Sequence, residues 1–147
     1  MTVKMTGQTS GNTPDGQSAV EQRLFEQLER YMDEQQPYTD PSLNRKKLAE
    51  ALNTNESYVR YCIMNNAGVT VNDYIMQYRL NHANQLLCQV VHGNTVESVA
   101  IKSGFGSRSC FYASYHKACG QTPKEFRNAP KKQKNKSKNR ILPTDIQ

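Results

Sequence analysis

An all-α fold is predicted by three features of the sequence. Apolar residues recur at helical spacing along residues 18–128, and no stretch alternates apolar and polar side chains as a half-buried strand would. Helix-starting residues (Ser, Thr, Asn) stand just before these periodic stretches, and glycines stand just after several of them. The chain also repeats itself. "LAEALNTNESYVRYCIMNNAGVTVNDYIMQYR" (Leu48 to Arg79) and "VAIKSGFGSRSCFYASYHKACGQTPKEFR" (Val99 to Arg127) share one order: an apolar helix, a tight turn, a second helix, a glycine and a threonine near the next helix start. The repeat predicts two helix-turn-helix units of three helices each, joined by one long helix.

Each element has its own signal. Residues 1–17 are rich in Thr, Ser, Gly and Gln, lack periodicity, and are expected to be disordered. Ser18 with Glu21 forms a capping-box start for a helix that Pro37 ends. Its inward stripe is Val20, Leu24, Leu28, Tyr31 and Met32, and its outer face is acidic. Asn44 can cap a short helix with Leu48, Ala49 and Leu52 inside. The turn "NTN" has no glycine, so Asn53 is the residue best suited to a left-handed conformation. Asn55 caps the next helix, with Val59, Cys62 and Ile63 inward, and Gly68 stops it. These elements make a first unit over 18–69. Thr70 or Asn72 can cap the linking helix, assigned to 70–92 and running from about Val71 to Val91. Its apolar stripe is Tyr74, Ile75, Tyr78, Ala83, Leu86 and Leu87, and such a helix spans roughly 30 Å. Arg79, beside that stripe, reads as a structural ion-pair or hydrogen-bond partner. The second unit, 93–128, breaks at Gly-Phe-Gly, restarts at Ser107, stops at Gly120 and opens a further helix at "QTPKEFR". Val96, Val99, Ala100, Phe105, Phe111, Ser114 and Tyr115 are its inward set.

Composition removes several classes of function. The chain has 147 residues, enough for one ordinary domain or two very small ones. A mean hydropathy of −0.80 leaves only a thin core. No apolar run is long enough to span a membrane, and the N-terminus lacks the apolar stretch of a secretory signal, so a cytoplasmic protein is expected. The cysteines (Cys62, Cys88, Cys110, Cys119) contain no C-x-x-C pair, and His82, His92 and His116 complete no metal constellation. Reduced thiols are expected, with no metal and no cofactor. Cys62 falls on an apolar face and reads as a small core residue. No Ser/His/Asp or Cys/His arrangement and no glycine-rich phosphate loop is legible, so no enzyme is expected. The net charge of +6 is concentrated in the basic tail, 129–147, where "KKQKNKSKNR" carries six cations and no acid. Residues 18–68 hold 6 basic and 8 acidic side chains, whereas residues 69–128 hold 6 basic and 3 acidic.

These motifs carry a resemblance. "GFGSRSCFYASYHKACGQTPKEFR" resembles the second-unit signature of AraC/XylS-type bacterial transcription regulators, and "NDYIMQYRLNHANQLL" resembles that family's linking helix. The likeness runs from about Leu24 to Arg127. It implies a DNA-binding domain that inserts two recognition helices, about Asn55–Asn66 and Ser107–Cys119, into adjacent major grooves of double-stranded DNA. Base-reading candidates are Ser57, Arg60 and Tyr61 on the first helix and Arg108, Ser109, Tyr112 and Ala113 on the second. Arginine suits a bidentate contact with guanine, which places Arg60 and Arg108 first. Phosphate candidates are Asn44, Lys46, Lys47, Lys102, His116, Lys117 and Thr122. One departure from the family pattern is "IMNNAG" at the end of the first recognition helix, where basic residues are common.

The resemblance further implies a separate sensing or dimerising domain, and RNA polymerase is a further expected partner. Residues 1–17 are too short and polar to be that domain. The sequence therefore fits either a fragment of a longer regulator or a stand-alone activator. No small-molecule site is visible. The alternative from another class is a helical protein-interaction module that binds a partner regulator or polymerase, with nonspecific DNA affinity supplied by the tail.

Overall fold

The computed structural model of the protein describes residues 15–89 and 95–128. Among them there are only helices, turns and short connections: α1 (Asp15–Gln35), a 3-10 helix (Pro37–Thr39), α2 (Arg45–Ala51), α3 (Glu56–Ala67), α4 (Val71–Cys88), α5 (Val96–Lys102), α6 (Arg108–Cys119) and α7 (Pro123–Arg127). The N-terminal segment before Asp15 and the basic tail, 129–147, lie outside the described residues.

α1 starts earlier than expected. Residues 15–17, expected to be disordered, are helical, so Ser18 lies inside the helix and does not cap it. Leu24, Leu28 and Met32 are buried and Tyr31 is half-buried, but Val20 is 45% exposed. The stripe thus runs one turn past the end of the core it packs on. Gln36 closes α1 by taking a left-handed φ of 49° ahead of Pro37.

The two units are built alike, hydrogen bond by hydrogen bond. Asn44 caps α2 by accepting from the Lys47 N–H at 2.9 Å, and Thr95 caps α5 by accepting from Ser98 at 3.0 Å. The chain turns out of α2 at Asn53 (φ 55°) and out of α5 at Gly104 (φ 92°). Thr54 N–H then reaches back to Ala49 C=O at 2.9 Å, and Phe105 N–H to Ala100 C=O at 3.0 Å. Asn55 and Ser107 cap α3 and α6. Both recognition helices end on a left-handed glycine, Gly68 and Gly120. Thr70, not Asn72, caps α4, and Thr122 with Glu125 forms a full capping box on α7.

α4 ends at Cys88, short of the expected Val91, because Gln89 is already extended (ψ 131°). Its eighteen residues span about 27 Å. Two cores lie along it. Tyr74, Ile75 and Tyr78 join Leu28, Met32, Leu48 and Ile63, whereas Leu80, Ala83 and Leu87 join Val99, Phe111, Tyr115 and Phe126. Leu52, Leu86 and Ser114, expected inside, are half-buried. Cys62 has no exposure; its thiol donates to the Glu21 carbonyl at 3.3 Å, and burial pushes its pKa up to about 11. The Tyr115 hydroxyl, deep in the second core, donates to Asn84 Oδ1. Arg79 is structural, and its partners are backbone carbonyls: Nε donates to Tyr38 O at 2.8 Å and Nη2 to Asp40 O at 3.0 Å.

Candidate nucleic-acid interface

α3 and α6 bury one face each and present the other. On α3, Val59, Cys62 and Ile63 face the core, so Ser57, Arg60 and Tyr61 are exposed. On α6, Phe111 and Tyr115 are buried, while Arg108, Ser109 and Ala113 are exposed. Tyr112 is half-buried, with its ring edge-on to Phe111 at 6.2 Å. Each helix holds an arginine over a neighbouring ring: Arg60 lies 4.9 Å from the Tyr61 centroid and Arg108 lies 4.9 Å from that of Tyr112. Such contacts restrict long side chains and lower the entropy lost when they later bind.

Arg108 occupies an electrostatically awkward position. It is the first residue of α6, at the positive end of the helix dipole, where a cation does nothing for the helix. Glu97 offsets this with an ion pair at 3.3 Å, and the Tyr112 hydroxyl lies 3.4 Å from Nη2. Both ion-pair partners are mostly exposed, so solvent screens the attraction. The repeat places Glu56 at the matching position of α3, where an acid suits the dipole. Arg45 pairs with it at 3.0 Å. Glu56 adjoins the base-reading candidates of α3 in sequence, whereas periodicity did not single out its partner Arg45. Aligning the two units cap to cap sets Glu56 against Arg108.

The phosphate candidates divide by what already engages them. The side chains of Asn44 and Thr122 are spent on caps, which leaves the helix-start N–H groups as their donors. Lys46 lines an open groove with Arg45, Arg60, Thr70 and Asn72, where α2, α3 and α4 converge. Lys47 is drawn to the preceding loop by Asp40, at 3.7 Å, and by the Ser42 hydroxyl. Lys102 is exposed at the end of α5, and His116 is exposed in the last turn of α6, where positive charge suits the dipole. Lys117 is not grouped with Arg108. It lies on the α4 flank of α6, in a cleft beside Asp73, Met76 and Ser114.

Two helix-turn-helix motifs on one shared helix, each with its second helix exposed and carrying an arginine, define a DNA-binding domain of a transcription regulator. Residues 48–129 match the family described as "Helix-turn-helix domain". The chain belongs to this AraC-type family. It is 28% identical over 88 residues to the melibiose operon regulatory protein of Escherichia coli K12, a match covering 60% of this chain and 28% of that protein. It is 32% identical over 95 residues to the HTH-type transcriptional activator RhaR of Enterobacter sp. (strain 638), covering 62% of this chain and 33% of that one. The chain thus spans about a third of the length of these curated relatives. Among solved structures it shares its fold with the C-terminal domain of AraT, a response regulator from Geobacillus stearothermophilus (TM-score 0.63, 21% identity, 71% of this chain and 83% of that one). A Chromobacterium violaceum regulator with an AraC-type DNA-binding domain is equally similar (TM-score 0.62, 22% identity, 76% and 98%). Among the described residues, no helix is long and apolar enough to cross a membrane, and no group of three or more His, Cys, Asp or Glu is placed to hold a metal ion.

Proposed function

We propose that the chain reads double-stranded DNA by placing α3 and α6 in successive major grooves on one face of the duplex. The observation that carries this is the doubled construction: the same cap, left-handed turn, cap and terminal glycine present each recognition helix in the same local frame, at opposite ends of α4. The length of α4, about 27 Å, is of the order of the ~34 Å repeat between groove centres. Ser57, Arg60, Tyr61, Arg108, Ser109, Tyr112 and Ala113 face bases. Lys46, Lys102, His116 and the helix starts at Asn44 and Thr122 face phosphates, with Lys47 and Lys117 at the margins. No catalytic step belongs to this function. As part of a bacterial regulator the chain works in the cytoplasm, its output is contact with RNA polymerase, and its signal comes from a sensing or dimerising domain elsewhere.

Selection of bound sequences from random duplex DNA, at about 0.15 M salt, tests this directly. Two short motifs about one helical turn apart are expected. Arg108→Ala should cost about 1–3 kcal/mol at one base position and relax the preference there. An unchanged preference would remove Arg108 from its role. Absence of any motif, with retention of a protein partner, would favour an interaction module.

A further inference from the structure

The first and second units touch through their backbones. Tyr38 and Thr39 belong to the first unit, in the 3-10 helix between α1 and α2. Gly104 belongs to the second, in the turn between α5 and α6. A Cβ built on Gly104 would stand 2.0 Å from the Tyr38 carbonyl oxygen and 3.0 Å from Thr39 Cα. No side chain fits there, and φ of 92° disfavours one independently.

α4 closes this junction from the side. Arg79 Nε donates to Tyr38 O at 2.8 Å and Nη2 to Asp40 O at 3.0 Å, pinning the 3-10 segment to the linking helix. One turn further, His82 Nδ1 lies 3.1 Å from Ser103 Oγ, the residue before Gly104, and Ser103 has no solvent exposure. The Tyr38 ring stands edge-on to His82 at 5.7 Å and packs on Tyr78 at 5.5 Å. The segment ahead of α2 and the turn ahead of α6 are therefore held against each other and against one helix. Each core on its own fixes a recognition helix only relative to its half of α4. The junction adds a direct tie between the halves.

We infer that Tyr38, Arg79, His82, Ser103 and Gly104 form an interunit clasp that sets the phase between the two recognition helices. They are positioning residues, which determine the half-site spacing the protein accepts without touching DNA. The inference rests on the two-groove function proposed above. Its physical basis is that two linked binding modules gain over one only when the link holds them at the span of both sites. A loosened link gives up that gain and tolerates other spans.

The test is the same selection from random duplex DNA, run on the full chain and on Arg79→Met, Gly104→Ala, His82→Gln and Ser103→Ala, with thermal unfolding of each followed in parallel. The unaltered chain should enrich two motifs at one spacing. Variants that still unfold cooperatively should enrich the same two motifs with a broadened spread of spacings. Their affinity for a two-motif duplex should fall about tenfold, with affinity for either single motif kept within about twofold. If Arg79→Met or Gly104→Ala does not fold, the milder His82→Gln and Ser103→Ala carry the comparison. A single unchanged spacing in every folded variant would reduce the junction to ordinary packing and overturn the inference. A single motif, or none, from the unaltered chain would instead overturn the two-groove function, and the clasp with it.

Discussion

Arg108, a proposed base reader, is held in place at small cost. Its ion pair with Glu97 and its place over the half-buried Tyr112 hold it at the mouth of α6, but Glu97 is mostly exposed and can let go. Glu97→Gln should therefore strengthen DNA binding modestly, and titration of a selected duplex at fixed salt reads the change. Weaker binding would mean that Glu97 orients Arg108 in the complex itself. His82 is governed by burial instead. Desolvation holds its imidazole below the ordinary value, so the fold favours the neutral form. Stability is full above the unfolded pKa of about 6.5 and is lost as the pH falls through it towards the depressed folded value, because the unfolded chain takes up the proton first. His82→Gln should flatten that slope between about pH 7.5 and about pH 5.5 in thermal unfolding. An undiminished slope would assign the acid sensitivity elsewhere. Among the thiols, exposure and the raised pKa of Cys62 set an order: alkylation of the folded protein should modify Cys110 well before Cys62.

Helix ends are the most legible part of the fold because their determinants are local. Asn44, Asn55, Ser107, Gly68 and Gly120 act on groups within about four residues, so their identity and position suffice. The same left-handed turn is solved by Asn53 in one unit and by Gly104 in the other, and the two solutions are not interchangeable. Asn53 is exposed, whereas Gly104 has a backbone against it. Gly120 is a third case, with φ of 74° and nothing within 4 Å of the place a Cβ would take. Gly120→Ala should then cost only the conformational term, about 1–2 kcal/mol in chemical denaturation. A much larger loss would show that α7 shifts as well. The start of α1 is harder to read, because Ser18 with Glu21 carries a local start signal inside a helix that is already formed at Asp15.

Two cores strung along one helix make a molecule whose halves differ in charge. The first unit carries a slight acidic excess and the second a basic one, so nonspecific attraction to phosphates falls mainly to α5–α7 and the tail. Removing residues 129–147 should lower the dependence of binding on salt by about 0.9 in log–log slope for each phosphate the tail neutralises, while leaving the selected motifs unchanged. Altered motifs would show that the tail takes part in reading. The second core depends on aromatic packing: Phe105 lies 4.7 Å and Tyr115 5.7 Å from the Phe111 ring. Phe111→Ala should cost about 3–5 kcal/mol and remove the second motif first.

Periodicity, caps and the internal repeat are enough to derive an all-helical chain with two helix-turn-helix units, and the resemblance they carry names its family. Each of those signals is a relation between residues a turn or two apart, which a linear reading can see. The exposure of Val20, the pairing of Arg45 with Glu56 and of Glu97 with Arg108, and the burial of Gln77 and Asn84 inside the linking helix are of another kind. They depend on which surfaces meet. So does the contact of Gly104 with Tyr38, which joins parts of the chain far apart in sequence through a backbone carbonyl that every residue type carries alike. No side-chain pattern can announce such a contact, and it exists only once α4 has brought the two units together.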